Sequence, residues 1–121
     1  MDRWKEFGEK VRRLREAKKS ADPSFTLRQF AEKLGLSATY ISKMERGEVT
    51  PPGPENIKKI AQMLGEDADA LLGLAGKFDQ ELGKIILKQP KAMADFLRMV
   101  KDKGLSEKEI VKLTEDIRKK K

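Results

Sequence analysis

The fold is decided by the stretch from Thr26 to Gly47, TLRQFAEKLGLSATYISKMERG. It contains two short apolar stripes of helical period, which Gly35 separates. Thr26 is suited to cap the first helix, with Gln29 completing a capping box, and Ser37 is suited to cap the second. The connecting turn has only three residues, too few for the two helices to lie antiparallel. The stretch therefore predicts two short helices that cross at a steep angle.

Helical periodicity also marks the segments on either side of this stretch. A first helix is predicted to end near Lys19, and Pro54 suits the first position of a fourth helix that ends at Gly65. The acidic cluster at 66–69 is predicted to cap a fifth helix. A calcium loop is the alternative, but the cluster lacks the ligand spacing and the glycine of such a site.

The rest of the chain is predicted to form about three more amphipathic helices. The first is expected to begin at Phe78 and to end before Pro90, and Ser106 is suited to cap the last. No strand alternation is found. The chain is therefore predicted to be all-α, with one domain over 1–75 and a helical extension over 76–121.

The composition excludes several classes of function. The chain of 121 residues contains no cysteine and no histidine, which removes disulfides, thiol nucleophiles, imidazole bases and the common zinc ligand sets. No enzymatic activity, cofactor or metal site is expected. A net charge of +7 suits a polyanionic partner, but it also serves solubility. The chain begins without an apolar signal core and has no apolar membrane span, so a cytoplasmic protein is expected.

The second helix of the deciding stretch has two contrasting faces. On a helical wheel its apolar residues share one arc: Tyr40, Ile41 and Met44. The opposite arc is polar or cationic: Thr39, Ser42, Lys43 and Arg46. Such side chains suit base edges and phosphates in a DNA major groove, which admits one helix, but an ordinary solvated face has the same pattern. The face alone leaves both interpretations open.

A longer stretch, 26–65, resembles the lambda-repressor-like helix-turn-helix family, also called Cro/CI or XRE. The similarity lies in Phe30-Ala31, Gly35, Tyr40-Ile41-Ser42, Glu45-Arg46-Gly47 and Ile60-Ala61-x-x-Leu64. It covers residues 7–75 and implies a five-helix DNA-binding domain whose third helix lies in the major groove. The implied function is that of a transcriptional repressor that binds a palindromic operator in double-stranded DNA as a homodimer. The connection at 20–25 is longer than the tight turn usual in this family.

The resemblance also implies roles for individual residues. Its base-contacting positions correspond to Ala38, Thr39, Ser42 and Lys43. In this family an arginine of the first helix pairs with the glutamate that ends the third, which here gives Arg15 and Glu45 as a structural salt bridge. Leu27 stands where many members have a phosphate-binding glutamine, so that contact is expected to be absent. Other cations are expected to contact phosphates instead: Arg28, Arg46, Lys58 and Lys59.

The role of the extension over 76–121 remains open at this point. It is expected either to form the homodimer or to bind a protein partner, as in an antitoxin or adaptor whose DNA binding is autoregulatory. The apolar surface of the extension distinguishes the two, because self-association would cover it. A self-cleaving repressor with a serine-lysine site is a third hypothesis, for which the extension is too short and lacks strands.

Overall fold

The computed structural model describes residues 2–121, and all regular structure within them is α-helical. The predicted all-α class is confirmed. The described chain divides into two compact units, 2–80 and 81–121. None of the helices in this part of the chain is both long and apolar enough to cross a membrane. The first unit contains α1 (Asp2–Ala21), α2 (Leu27–Leu34), α3 (Ala38–Glu45), α4 (Pro54–Leu64) and α5 (Ala68–Leu74).

The second unit is built on three further helices. They are α6 (Gln80–Lys88), α7 (Pro90–Asp102) and α8 (Glu107–Arg118). Pro90 occupies the first turn of α7, where its missing NH group costs no hydrogen bond. It therefore separates α6 from α7 by starting the second of them.

The division between the units lies after Gln80, whereas the sequence placed it at 75/76. The backbone NH of Lys77 donates to the carbonyl of Leu72 at 2.9 Å. The carboxylate of Asp79 lies 3.2 Å from the ammonium group of Lys58. These bonds hold 77–79 in the first unit, and Phe78, which was predicted to begin the sixth helix, precedes it.

Side-chain caps start α2, α3, α5 and α8 as the sequence predicts, with one difference at α2. The hydroxyl of Thr26 accepts from the backbone NH of Gln29 at 3.1 Å. A complete capping box would also have the Gln29 side chain accept from the backbone NH of Thr26. That NH donates instead to the carbonyl of Ser24 at 2.9 Å. At α8 the capping box of Ser106 and Glu109 is complete in both directions.

The turn between α2 and α3 is closed by backbone bonds around Gly35. This glycine has φ 71°, a left-handed conformation that strains other residues. The NH of Leu36 donates to the carbonyl of Ala31 at 3.0 Å, which satisfies a carbonyl at the helix end. One residue later the hydroxyl of Ser37 accepts from the NH of Tyr40 at 3.0 Å. The predicted tight turn is thus formed by local interactions.

All five helices of the first unit contribute to one apolar core. Phe25, in the connection before α2, packs against Phe30 across the start of that helix, with the ring centroids 5.6 Å apart. The buried apolar residues are Phe7, Val11, Phe25, Phe30, Ala31, Leu34, Ile41, Met44, Ile57, Ile60, Ala61, Leu71, Leu72 and Ala75.

Gly8 allows α1 to approach the end of α3 at very short range. A Cβ atom on this buried glycine would lie 2.3 Å from the carbonyl oxygen of Met44 and 2.7 Å from that of Glu45. Real Cβ atoms do not come so close to backbone, so no other residue fits without moving one of the two helices. The approach brings the following turns of α1 against the same end of α3.

We expect Gly8→Ala to destabilise the first unit by about 1–3 kcal/mol, because the added methyl group meets backbone atoms that cannot turn away. Chemical denaturation followed by circular dichroism measures the change. Gly73→Ala is the matched control, since a Cβ on this α5 glycine meets nothing within 4 Å. The control is expected to be neutral or stabilising by up to about 1 kcal/mol. Equal losses in the two variants would contradict the close approach.

Candidate nucleic-acid interface

Helix α3 packs through one face and exposes the other. Its buried face includes Ile41 and Met44, at 0% and 1% exposure. The hydroxyl of the half-buried Tyr40 donates to the carbonyl of Thr50 at 2.6 Å. Of the four predicted base-contacting residues, three are exposed and Ser42 is half-buried: Ala38, Thr39, Ser42 and Lys43.

An ion pair anchors the end of α3 to α1. The Nε of Arg15 donates to one carboxylate oxygen of Glu45 at 2.7 Å, and its Nη2 donates to the other at 2.9 Å. Both residues are buried, at 8% and 5% exposure. The hydrogen bonds to Glu45 raise the pKa of Arg15 above its usual value, although burial acts in the opposite direction. The structure thus places both residues of the expected salt bridge in direct bidentate contact.

A second arginine network covers the outer side of the α3 terminus. Arg46 donates to the two carboxylate oxygens of Glu48 at 2.8 and 3.2 Å, and its third bond reaches the hydroxyl of Ser42 at 2.5 Å. The hydrogen bonds from Arg46 lower the pKa of Glu48. Sequence reasoning missed Glu48, although an acidic residue two positions after an exposed arginine was an available signal. Arg46, a predicted phosphate ligand, is therefore already paired with Glu48. It also contacts Ser42, a predicted base-contacting residue.

The remaining predicted phosphate ligands lie on α2 and α4. Arg28 is exposed in the first turn of α2, and Lys59 is exposed on α4. Lys58 is half-buried and forms the ion pair with Asp79 described above. Any contact of Lys58 with DNA therefore competes with that carboxylate.

Helices α2 and α3 are short and are joined by a three-residue turn. Helix α3 is held by α1 and exposes a polar face. This arrangement defines a helix-turn-helix domain. The profile of the family described as Helix-turn-helix matches residues 11–71. The chain belongs to this family, in its lambda-repressor-like form. The family consists of DNA-binding transcription regulators and is not a family of enzymes.

Two proteins of Bacillus subtilis (strain 168) are similar to this chain. The first is the HTH-type transcriptional repressor RghR, 38% identical over 74 residues, which are 61% of this chain and 51% of RghR. The second is the uncharacterized HTH-type transcriptional regulator RghRB, 39% identical over 70 residues, which are 58% of this chain and 47% of that protein. The similarity thus spans about half the length of each relative. No solved structure matches the chain significantly.

Removing one partner of the Arg15–Glu45 pair should destabilise the domain strongly. Glu45→Ala leaves a buried guanidinium without its counter-charge, which typically costs about 3–5 kcal/mol. We expect a correspondingly lower free energy of unfolding in denaturant titrations. Glu48→Ala is the matched control, because it removes the same kind of partner from an exposed arginine and should change the free energy of unfolding little. A parent-like stability of Glu45→Ala would show that the buried pair does not hold α3.

Proposed function

We infer that this chain is a transcriptional repressor that binds a specific site in double-stranded DNA through α3. The observation that carries this inference is the exposed polar and cationic face of α3 in a domain of the lambda-repressor-like family. The similarity to a protein named as a transcriptional repressor supports the same function. Selection of binding sites from random DNA, followed by sequencing, tests it directly. Recovery of no common sequence would contradict it.

Base contacts are assigned to the exposed face of α3. Lys43 can donate to O6 and N7 of guanine, the hydroxyls of Thr39 and Ser42 can pair with several base edges, and the methyl group of Ala38 suits the methyl group of thymine. The exposure of Lys43 and Thr39 supports this assignment. The hydroxyl oxygen of Ser42 accepts from Arg46, and its O–H remains available to donate to a base.

Phosphate contacts are assigned to cations on the helices around α3. The exposed cations on these helices are Arg28, Arg46 and Lys59. Exposure is needed, because a side chain must be accessible to contact a phosphate. Such contacts fix the orientation of the domain on DNA and carry no sequence information themselves. Lys58 has three donors and can add a phosphate contact, but the carboxylate of Asp79 offsets its charge.

The extension is assigned to homodimer formation on a palindromic operator. No residue of α6, α7 or α8 is buried, although each helix is amphipathic. A row of large apolar side chains, 41–74% exposed, lies in 81–121. Such surface is stabilised by burial against a partner, and a second copy supplies that partner while placing a second α3 one helical turn along the DNA. These side chains are Leu82, Ile85, Leu87, Phe96, Leu97, Met99, Ile110, Val111, Leu113 and Ile117.

The same exposed side chains favour a second candidate function. An antitoxin or adaptor would use them to bind a different protein, and its DNA binding would be autoregulatory. The oligomeric state of the full chain separates the two functions, because a homodimer covers this surface with a second copy. A monomeric full chain would favour the protein partner.

Ending the chain after Gln80 should convert a dimer into a monomer, because the core of the first unit is retained and the exposed apolar helices are removed. Light scattering after size-exclusion chromatography measures the mass of both proteins. Affinity for the palindromic site should fall by about a hundredfold or more, since the two domains no longer bind as a linked pair. A shortened chain that stays dimeric would place the dimer contact in the first unit.

Lys43→Ala should relax the base preference at one position of each half-site. A good base contact discriminates by about 1–3 kcal/mol, whereas loss of a phosphate contact weakens all sequences alike. Competition binding against single-position variants of the selected site measures the difference. Lys59→Ala is the matched control, and it should lower affinity without changing preference. If both variants lower affinity uniformly, Lys43 does not contact a base.

A further inference from the structure

A small cavity of about 150 Å³ lies where α1 and the start of α2 meet α3. A water molecule occupies about 30 Å³ in the liquid, so the cavity has room for a group the size of a phosphate. It belongs entirely to the first unit. Its lining consists of Arg12, Arg15, Leu27, Ser42, Glu45 and Arg46.

The position of Arg12 follows from the close approach at Gly8. Arg12 lies one helical turn after Gly8, and residues four apart share a face of a helix. That face of α1 contacts the end of α3, where Ser42 and Arg46 lie. The cavity is thus formed by the same contact that positions α3.

The charges of the lining leave the mouth of the cavity cationic. Arg15 and Glu45 are buried and neutralise each other through two hydrogen bonds. The other two charged residues of the lining are exposed arginines, Arg12 and Arg46, with side chains 56% and 49% exposed. The hydroxyl of Ser42 adds a neutral donor. An anion at the mouth therefore meets two guanidinium groups and a hydroxyl group.

Both exposed arginines already hold carboxylates outside the cavity. The Nε of Arg12 lies 3.5 Å from an oxygen of Glu16, and Arg46 holds Glu48 at 2.8 and 3.2 Å. Ion pairs as exposed as these contribute little to stability. A phosphate can therefore replace the carboxylates at small cost, and planar guanidinium groups suit its oxygens well.

We propose that this cavity binds one phosphodiester of the DNA backbone, with Arg12 and Arg46 as shared ligands and Ser42 as a third donor. The proposal rests on the proposed function, because it places the phosphate beside the base-contacting face of α3. It adds Arg12, a residue of α1, to the interface. The O–H of Ser42 can then donate either to a base or to this phosphate, while its oxygen keeps the bond from Arg46.

The test compares Arg12→Ala, Arg46→Ala and the double variant in the full chain. Affinity for the selected site and for unrelated DNA is measured over a series of salt concentrations. Each single variant should lower both affinities by roughly ten- to hundredfold, the usual effect of losing a charged hydrogen bond. The slope of log affinity against log salt should fall by about one for each bound domain. The double variant should lower the slope no further, because the two arginines share one phosphate.

Arg13→Ala is the matched control, since Arg13 is an exposed arginine of the same helix and is absent from the cavity lining. It should leave the salt slope unchanged, and circular dichroism should show parent-like melting for all three single variants. Parent-like DNA binding by Arg12→Ala, or an equal loss in Arg13→Ala, would overturn the proposal. A slope that falls by two in the double variant would assign two separate phosphates and overturn the shared site. Absence of sequence-specific binding by the parent would instead overturn the proposed function, before any variant is compared.

Discussion

The ion pair between Arg15 and Glu45 determines where α3 lies in the domain. Both charges are buried, and the cost of removing them from water is offset only while they remain paired with good geometry. Two NH groups of a planar guanidinium meet two carboxylate oxygens, so the pair fixes an orientation as well as a distance. The contact between Arg15 and Glu45, on the buried side of α3, therefore fixes the orientation of its exposed face. On the proposed function, DNA binding through that face depends on α1, although α1 carries none of the assigned base contacts.

The absence of a side chain at Gly8 is the second condition for this arrangement. The carbonyl oxygens of Met44 and Glu45 lie where a Cβ would stand, and the short helix separation lets the ion pair form one to two turns further along α1. The same separation determines the size of the cavity beside Arg12. The contact between α1 and the end of α3 therefore affects both the stability of the fold and the proposed anion site.

Most of the first unit could be predicted because its signals are local. The cap at Ser37, the left-handed Gly35 and the proline that starts α4 each act within a few residues, and the apolar stripes share the period of the helix. The exception at Gln29 is also local, since the carbonyl of Ser24 competes for the same NH group. Boundaries differ by one or two residues, as for α1, which continues to Ala21.

The candidate site was less predictable because its pairs join distant or flexible side chains. Arg15 and Glu45 are 30 positions apart, and their pairing was expected only from the family resemblance. The partners of Arg46 and Lys58 could not be chosen from sequence, because several acidic residues lie within reach of each long side chain. Spacing gives the face of a helix on which a cation lies, but the tertiary positions of the carboxylates decide which cations are already paired.

The two units obey the same local rules and differ in burial. Helices α6, α7 and α8 have 9, 13 and 12 residues, lengths at which an isolated helix is marginal in water. Pro90 fixes where α7 begins and the capping box at Ser106 fixes where α8 begins, but no residue of the three helices is buried. On the homodimer proposal, the burial of this exposed apolar surface on association stabilises the three helices. On the proposed function, the order of the extension and the occupancy of DNA therefore depend together on the concentration of the chain.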